Sequence, residues 1–545
     1  MFKIFLLCKK YFMYMLHRVI LFILLSLIVA GISMVYPYIS GRFIDALLHA
    51  DGWNQSIYYV LIFFVVSIVN ITVGYILDKN HIMLQSILSY NLNSDIIRHV
   101  QKLPNSFLSK QNMSYLSQRT SVDSSAVISF CLSVMSQFTN NIILIMFTVY
   151  VIISLSPLVI IVMLVSAVSY LIGYMSYQNI LYNANFAAKE AQSVFFSKIY
   201  EQVSSIEFVR MQGIVDSFIS RLEGAFKDLF PKLLFLQKAN YSYTAYGRLI
   251  YVISQIALMI ICGIQIIDGE LTVGEFTIIL SYFSISINAV KYFFTLGQKT
   301  QENIVAYERL TELLEKEAVA YGFNELVNID SIEMKAVDFS YNDSDILRYD
   351  FKFEKGKIYG IVGANGAGKS TMIKLLVGMF IGEYSGEILY NDVPINALKI
   401  DRLLQRNIGV SEQEPYLFEE TLRYNIMLSD DCAVDKDKLL VLVSLLSLES
   451  FLPELSDEFN SSLCKDISIL SGGEKQKVSL LRVLIKNPDV IILDEPTSAL
   501  DERGRENLFN YLDVIKSEKI IIVVTHDCKL LGHFDEIIEL SERGM

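Results

Sequence analysis

The stretch GANGAGKST at Gly363–Thr371 decides the fold of the second half of this chain. It has the P-loop pattern, in which glycines let successive backbone N–H groups curve around phosphate oxygens while Lys369 reaches the β/γ-phosphates and Ser370 can hold Mg²⁺. The apolar run before it, Lys357–Gly363, predicts a buried strand, and Thr371–Phe380 predicts the helix whose N-terminus receives the phosphates. An α/β nucleotide-binding fold is therefore predicted for this half.

Further motifs follow the P-loop in one order. Their sequences and positions are Gln413, LSGGE at Leu470–Glu474, VIILDE at Val490–Glu495, SALD at Ser498–Asp501 and THD at Thr525–Asp527. The apolar runs Val490–Leu493 and Ile520–Val524 read as buried strands that end beside Asp494 and His526. Ligands bind at the carboxyl edge of open α/β sheets, so we expect these side chains to meet the P-loop there.

The first half is patterned for a membrane. The runs Val19–Gly41, Gly52–Leu77, Ser124–Ala188 and Leu249–Ile267 contain no charged residue, although 19% of the 545 residues are charged. A helix needs about 20 apolar residues to cross a bilayer, so the longest run holds two helices, with the break at Ser156-Pro157. A sixth span starts near Thr272. We predict spans at about 17–40, 56–78, 126–154, 157–178, 248–268 and 271–296.

The positions of the basic residues predict orientation. Lys and Arg precede the first span and follow the second, whereas the connectors His49–Ser56, Ser154–Leu158 and Asp268–Glu275 contain neither. We therefore expect a multi-pass protein of a bacterial plasma membrane, with both termini in the cytoplasm. The formal net charge of −12 gives no reason to propose a nucleic-acid partner.

Together these motifs resemble the ATP-binding cassette (ABC) family, in its exporter branch of half-transporters. GELTVGEF at Gly269–Phe276 and ERL at Glu308–Leu310 also resemble that branch. The resemblance implies a multidomain membrane protein, with an all-α six-helix transmembrane domain that has long cytosolic helical extensions, followed by an α/β P-loop ATPase cassette. We expect the domains at 1–315 and 332–545, joined by a linker at 316–331.

The resemblance also implies the cofactors ATP and Mg²⁺ and a role for each motif residue. Glu495 and His526 are expected to be catalytic, Ser370, Gln413 and Asp494 to hold the metal, and Tyr341 to stack on adenine. The residues expected to contact nucleotide are Tyr341, Gly363, Ala364, Asn365, Gly366, Ala367, Gly368, Lys369, Ser370, Thr371, Gln413, Ser471, Gly472, Gly473 and Glu474. Taken alone, Glu495 could be a solvated strand-end carboxylate, His526 and Gln413 surface residues, and Tyr341 a core tyrosine.

The signature residues Ser471–Gly473 serve the ATP of a second cassette if the family geometry holds, so the active unit is expected to be a dimer. A homodimer is favoured and a heterodimer stays open. Leu103–Asp123 and Glu201–Gly213 resemble the loops that couple membrane helices to cassettes; the alternative is an ordinary cytosolic helical hairpin. The chain departs from the family at Ser114, at Ser461–Ile469, at Glu474 and at Lys477.

The resulting prediction is an ATP-driven exporter, a translocase that moves an amphipathic substrate out of the cytoplasm by alternating access. A DNA-repair ATPase is excluded by the spans, and a sensor or channel on the same scaffold stays open. A peptide is favoured over a lipid or drug. Because about 18 residues precede the first span, we expect no leader-cleaving peptidase domain. Lys291 is expected to snorkel to the headgroups; the alternative is that its ammonium lies in the substrate path and faces an anionic group such as a peptide carboxylate or a lipid phosphate.

Overall fold

The computed structural model describes residues 1–48, 52–111, 116–117, 119–341, 346–428, 436–449 and 470–540, without the side chains of Gln298, Lys436 and Cys528. The chain forms two compact units. The first comprises Met1–Arg98 with Met113–Glu315, and the second comprises His99–Asn112 with Lys316–Met545. The departures expected at Ser114 and Ser461–Ile469 lie outside the described residues.

The first unit is built from helices. In chain order the helices up to Leu314 are α1 (Phe2–Tyr14), α2 (Leu16–Leu48), α3 (Gly52–Val100), α4 (Asn105–Leu108), α5 (Ser124–Leu155), α6 (Pro157–Ser204), α7 (Ile206–Met211), α8 (Val215–Ile267) and α9 (Val273–Leu314). α4 belongs to the second unit. In the described residues, six helices are long and apolar enough to cross a membrane, namely α2, α3, α5 with the preceding π-turn Arg119–Asp123, α6, α8 and α9. The prediction of six apolar helices is confirmed.

Local sequence explains where these helices begin and end. α5 ends at Leu155 and α6 begins at Pro157, because proline lacks the N–H that a continuing helix needs. α9 begins after Thr272, whose hydroxyl accepts a hydrogen bond from the Glu275 N–H at 3.0 Å while the Glu275 carboxylate accepts from the Thr272 N–H. This capping box satisfies two N–H groups that would otherwise be unpaired.

Two crossed ion pairs join α9 to the start of α5 inside the first unit. Arg119 pairs with Glu312, and the Arg309 guanidinium donates to Asp123 Oδ1 at 2.6 Å. The side chains of Arg119 and Asp123 are only 5% exposed, whereas those of Glu312 and Arg309 are 60% and 41% exposed. Each buried charge is therefore neutralised by a charge that reaches it from the other helix, which fixes the register of the two helices.

The second unit contains two sheets. Its strands are β1 (Ser331–Phe339), β2 (Leu347–Glu354), β3 (Lys357–Gly363), β4 (Ser385–Tyr390), β5 (Val393–Pro394), β6 (Ile408–Ser411), β7 (Val490–Asp494), β8 (Ile520–Val524) and β9 (Glu536–Leu540). Its helices after Leu314 are α10 (Lys369–Leu376), α11 (Ile400–Arg406), α12 (Leu422–Met427), α13 (Lys436–Leu445), α14 (Gly472–Lys486) and α15 (Glu502–Ile515). The strands predicted at Lys357–Gly363 and Ile520–Val524 are confirmed.

The larger sheet carries the site. Its order is β6-β7-β8-β3-β9, and every pairing is parallel. Side chains of β8 alternate between two hydrophobic cores, with Ile520, Ile522 and Val524 in one and Ile521 and Val523 in the other. The sheet is therefore buried on both faces, as continuous apolar strands require. The smaller sheet, β2-β1-β4-β5, is antiparallel.

The segment His99–Asn112 belongs to the second unit, although its first two residues are the last two of α3. The Lys102 carbonyl accepts a hydrogen bond from the Val319 N–H at 2.7 Å, and the His99 ring lies 3.0 Å from the Lys316 carbonyl oxygen. The Lys316 ammonium also lies over the Phe107 ring, 5.5 Å from its centroid. Backbone and side-chain contacts thus tie this segment to residues 316–319.

The crossed ion pairs generate a stability prediction. Arg309→Ala should destabilise the first unit by about 3 kcal/mol, because it removes the guanidinium that neutralises the buried Asp123 carboxylate. Lys232→Ala is the matched control, since Lys232 pairs with Asp228 on the exposed surface of α8, and such pairs contribute about 1 kcal/mol or less. Thermal unfolding of the purified proteins in detergent measures both. An equal shift for the two variants would contradict the role assigned to the buried pair.

Candidate functional site

A cleft of about 590 Å³ lies in the second unit at the carboxyl edge of the parallel sheet. The residues that line it are Tyr341, Leu347, Asn365, Gly366, Gly368, Lys369, Ser370, Thr371, Gln413, Asp494 and Glu495. β3 supplies the P-loop, β6 leads to Gln413, and β7 ends at Asp494. The fold therefore brings together residues that are far apart in the chain.

Glycine geometry shapes the P-loop. Gly366 and Gly368 have φ values of 86° and 93°, in the left-handed region that favours glycine. A Cβ on Gly368 would also collide with the Tyr349 hydroxyl, which donates a hydrogen bond to the Gly368 carbonyl at 2.9 Å. Gly368 caps α10 without any side-chain hydrogen bond. The first N–H groups of α10 thus stay available to an anion.

Lys369 is held inside this loop. Its ammonium donates hydrogen bonds to the carbonyl oxygens of Gly363 at 2.7 Å and Ala364 at 3.0 Å. The residue is only 8% exposed, so the positive charge is fixed at the floor of the cleft. A phosphate oxygen in the loop would complete the neutralisation of this charge.

Asp494 stands next to the P-loop at the end of β7. Burial and the neighbouring Glu495 carboxylate raise the pKa of Asp494, against the opposing effects of Lys369 and a hydrogen bond with Ser370. The negative charge of Glu412 also raises the pKa of Asp494. Two carboxylates and a hydroxyl thus converge where a cation would relieve their repulsion.

Glu495 is held by both of its carboxylate oxygens. The Gln413 amide donates to Oε2 at 2.7 Å, and the His526 Nδ1 lies 2.9 Å from Oε1. The backbone of Glu495 has φ of 49°, which is uncommon for a residue with a side chain. Its side chain is 16% exposed, and that of His526 is 65% exposed. The arrangement aims a fixed carboxylate into the cleft.

One residue that supports the site, Gln476, was not identified from the sequence. Gln476 on α14 is 4% exposed; its amide donates to the Glu495 carbonyl at 2.8 Å, and its Oε1 accepts from the Ser498 hydroxyl at 2.6 Å. These bonds hold the unusual backbone of Glu495 in place. A lone glutamine on the buried face of an amphipathic helix is the signal that could have indicated this role.

Tyr341 lies at the rim of the cleft and is half-exposed. Phe339 and Phe380 contact its ring edge-to-face, at centroid distances of 4.9 Å and 5.7 Å. These contacts orient the ring and leave part of it open to a planar ligand. Stacking of a base on such a ring contributes about 1–3 kcal/mol.

The signature residues Ser471–Glu474 do not line this cleft. They begin α14 with a capping box, in which the Ser471 hydroxyl accepts from the Glu474 N–H at 3.3 Å and Glu474 Oε2 accepts from the Ser471 N–H at 2.8 Å. A Cβ on Gly472 would meet nothing within 4 Å. The structure therefore separates these four residues from the P-loop of their own chain.

The donors at the cleft suit Mg²⁺. Among the described residues there is no cluster of three or more His, Cys, Asp or Glu that could hold a metal by themselves. Mg²⁺ characteristically takes one or two protein oxygens and completes its shell with water and phosphate. The Ser370 hydroxyl, the Asp494 carboxylate and the Gln413 amide oxygen fit that requirement.

Comparison with known proteins agrees with this architecture. The family model for the ABC transporter matches residues 346–498, and the model for the ABC transporter transmembrane region matches residues 19–290. The chain therefore belongs to the ABC transporter family. A solved structure of a bacterial Atm1-family ABC exporter with ATP bound superposes with a TM-score of 0.82 at 18% identity, over 96% of this chain and 93% of that one. The fold is that of an ABC exporter.

Two curated relatives cover different shares of the chain. A putative export ATP-binding/permease protein of Rickettsia bellii is 26% identical over 65% of this chain and 62% of its own length. The lactococcin-A transport/processing ATP-binding protein LcnC of Lactococcus lactis is 26% identical over 86% of this chain and 66% of its own length. The chain thus spans less than two thirds of the length of each of these relatives.

The electrostatics of Asp494 generate a prediction. Folding raises the pKa of Asp494. Between the ordinary pKa and the raised pKa, the native state therefore binds more protons than the unfolded state does. The free energy of unfolding consequently falls as the pH rises through the raised pKa. Asp494→Asn should therefore raise the unfolding temperature of the ligand-free protein at pH 7.5, by about 2–4 °C for each kcal/mol relieved. The gain should shrink as the pH is lowered into the range where the parent carboxyl protonates.

Thermal melts across pH, without nucleotide or metal, measure this gain. Asp338→Asn is the control, because Asp338 is an exposed carboxylate paired with Arg348 on the smaller sheet. A lower melting temperature for Asp494→Asn at neutral pH would contradict the predicted repulsion.

Proposed function

We propose that this protein is an ATP-hydrolysing ABC exporter that moves an amphipathic substrate out of the cytoplasm by alternating access, as a dimer. The observation that carries the proposal is Glu495, which Gln413 and His526 hold beside Asp494 and the P-loop. Phosphoryl transfer needs positioning and charge neutralisation more than covalent help from the protein. This cleft offers both.

Different residues of the cleft bind the phosphates, the metal and the adenine. The N–H groups of the P-loop, from Gly363 to Thr371, cradle the phosphates, and Lys369 neutralises the β/γ-oxygens. Ser370, Asp494 and Gln413 would hold Mg²⁺, which would supply charge neutralisation of the phosphates. Tyr341 stacks on adenine.

Glu495 and His526 act on the reaction itself. Glu495 accepts a hydrogen bond from the attacking water, and His526 contacts the γ-phosphate and keeps that geometry. Both carboxylate oxygens of Glu495 have partners in this structure, Gln413 and His526. Gln413 is also among the residues that would hold Mg²⁺, and an amide engaged there would leave one oxygen of Glu495 available to water.

The signature residues support a dimer. Ser471, Gly472, Gly473 and Glu474 lie outside the P-loop cleft of their own chain, and the N-terminus of α14 faces open space at Gly472. A helix N-terminus favours an anion, so these residues suit the γ-phosphate bound by a second cassette. All catalytic positions are present, which favours a homodimer with two working sites; a heterodimer is the alternative.

We place the protein in a plasma membrane of bacterial type, with both termini in the cytoplasm. Lys and Arg cluster before α2 and after the apolar part of α3, in agreement with the positive-inside bias. The transmembrane domain then occupies residues 1–315 and the nucleotide-binding domain residues 332–545, joined by a linker at 316–331. The segments Leu103–Asp123 and Glu201–Gly213 are proposed to couple the two domains.

A peptide is the favoured substrate. One similar protein is named as a transport and processing protein for lactococcin-A, and the match covers 86% of this chain. A lipid flippase and a multidrug exporter are alternatives on the same scaffold. A non-transporting sensor is disfavoured, because the geometry at Glu495 is that of a site built for turnover.

Glu495→Gln tests the catalytic role. The variant should bind ATP as the parent does, yet hydrolyse it about 100-fold more slowly or worse, because the amide orients water poorly. Steady-state ATPase and direct nucleotide binding measure the two effects. Glu502→Gln, an exposed change in the first turn of α15, is the control and should leave both unchanged. Hydrolysis by Glu495→Gln within about twofold of the parent would refute the assignment.

Ser471→Arg tests the shared site. The arginine should obstruct the face of α14 that meets a partner's nucleotide, so hydrolysis should fall about 100-fold or more although the chain's own P-loop is intact. Mixed dimers with Glu495→Gln chains show whether the sites form across the dimer. Parental turnover by purified Ser471→Arg would show that the signature does not complete a partner's site.

A further inference from the structure

Lys291 lies on α9, near the C-terminal end of the predicted sixth span. Its ammonium sits over the rings of Tyr170 on α6 and Tyr251 on α8, 5.2 Å and 5.6 Å from their centroids. The expectation that Lys291 snorkels to the headgroups stays a prediction, and these two ring contacts give the ammonium a different environment in the structure. Helical side chains lean toward the helix N-terminus, and for α9 that direction leads away from the nearer end of the span.

Depth along the helices supports this. Lys291 is about 27 Å from the start of α9, and Tyr170 is about 20 Å from the start of α6, at 1.5 Å per residue. Spans four and six cross the membrane in the same direction, because span five between them crosses in the opposite direction. Along the helix axes Tyr170 is therefore about 7 Å nearer to the starting end of its helix than Lys291 is to that of α9, and the lysine side chain is directed toward the start of α9.

Both rings are fixed before any ligand arrives. The Tyr170 hydroxyl donates to the Gly247 carbonyl at 2.5 Å, and Tyr170 is only 2% exposed. Gly247 permits this approach, since a Cβ there would lie 3.1 Å from the Tyr170 ring. Tyr251 stacks on Phe283 and its hydroxyl accepts from the Gln255 amide at 2.8 Å. The platform under the ammonium is rigid.

The positive charge here is not neutralised by a carboxylate. Across the described part of the first unit, Lys291 forms no ion pair, and the charged group that acts on it is Arg248, a second cation. A lysine ammonium has three N–H donors, and aromatic faces leave them without an acceptor. Charged groups inside membrane spans are costly and are usually paired or functional.

A cavity of about 750 Å³ lies along the same helices. Tyr174 and Phe294, which stack on each other at 5.2 Å, line it and follow Tyr170 and Lys291 by about one helical turn. Tyr182, Phe186 and Val305 extend its apolar wall, and Lys189, Glu190, Glu302 and Arg309 line it further along the same helices. An apolar body in this cavity would place a polar end near Lys291.

We propose that Lys291, on its platform of Tyr170 and Tyr251, binds the anionic group of an amphipathic substrate whose apolar part occupies the adjacent cavity. This inference rests on the proposed export function and adds the charge of the substrate. The group recognised is an oxyanion, since an ammonium with three free donors makes short charge-assisted bonds to carboxylate or phosphate. A peptide carboxylate and a lipid phosphate share this chemistry.

Binding of matched probes tests the site without relying on turnover. The probes are an N-acylated apolar hexapeptide with a free C-terminal carboxylate, the same peptide as its C-terminal amide, and a short-chain phosphatidic acid beside the neutral diacylglycerol. Equilibrium binding to protein in nanodiscs of neutral lipid is measured without ATP. The parent should prefer the charged member of at least one pair by about tenfold. The preferred pair identifies carboxylate or phosphate as the source.

Lys291→Gln should abolish this preference, whereas Lys291→Arg should keep it, because the charge remains. Lys299→Gln is the matched control, since Lys299 lies on the exposed side of α9 and should leave the preference intact. Basal ATPase should stay within about twofold of the parent in all three variants. Parental thermal stability of Lys291→Gln would show that a lost preference does not reflect unfolding.

Equal binding of charged and neutral probes by the parent, or binding of neither, would overturn the proposal. An unchanged preference in Lys291→Gln, or an equal loss in Lys299→Gln, would overturn it as well. Failure of the export proposal would look different: the parent would show no ATP hydrolysis or substrate uptake in vesicles, while the charge preference of binding would still report on Lys291.

Discussion

The nucleotide-binding unit depends on one geometric constraint, that neighbouring parallel strands end at the same edge of a sheet. In the order β6-β7-β8-β3, successive strands deliver Gln413, the pair Asp494 and Glu495, His526 and the P-loop. The register of β7 on β8 places Asp494 opposite Val524, so Glu495 and His526 emerge close enough to share a hydrogen bond. Apolar packing on both faces of this sheet therefore sets the distances on which the chemistry depends.

Uncompensated charge marks the places in each unit where we propose that ligands bind. In the second unit Asp494 and Glu495 repel each other beside a buried Lys369, and a metal with phosphates would balance all three. In the first unit Lys291 lies on two aromatic faces without a carboxylate in the described residues. By contrast, the buried charges of Arg119 and Asp123 have partners within the fold. A buried charge with a partner inside the fold indicates a structural ion pair, whereas one without such a partner indicates a candidate ligand site.

The backbone near Glu495 shows how a strained position is supported. Its φ of 49° costs energy for a residue with a side chain, and Gln476 stabilises it through the Glu495 carbonyl. Gln476 belongs to α14, the helix that begins with the signature residues. A contact at the start of α14 is therefore linked through one buried amide to the carboxylate that faces the cleft, which gives the proposed second cassette a physical route to this carboxylate.

The sequence by itself determined the P-loop, the strands at Lys357–Gly363 and Ile520–Val524, the break at Pro157 and the six apolar helices. These features follow from residues close together in the chain, where glycine, proline and apolar runs act locally. Only the tertiary structure decided the roles of Gln476, the placement of His99–Asn112 with the second unit, and the position of Lys291 over Tyr170 and Tyr251. Each depends on which helix or strand lies opposite, and local pattern carries no information about partners that are distant in the chain.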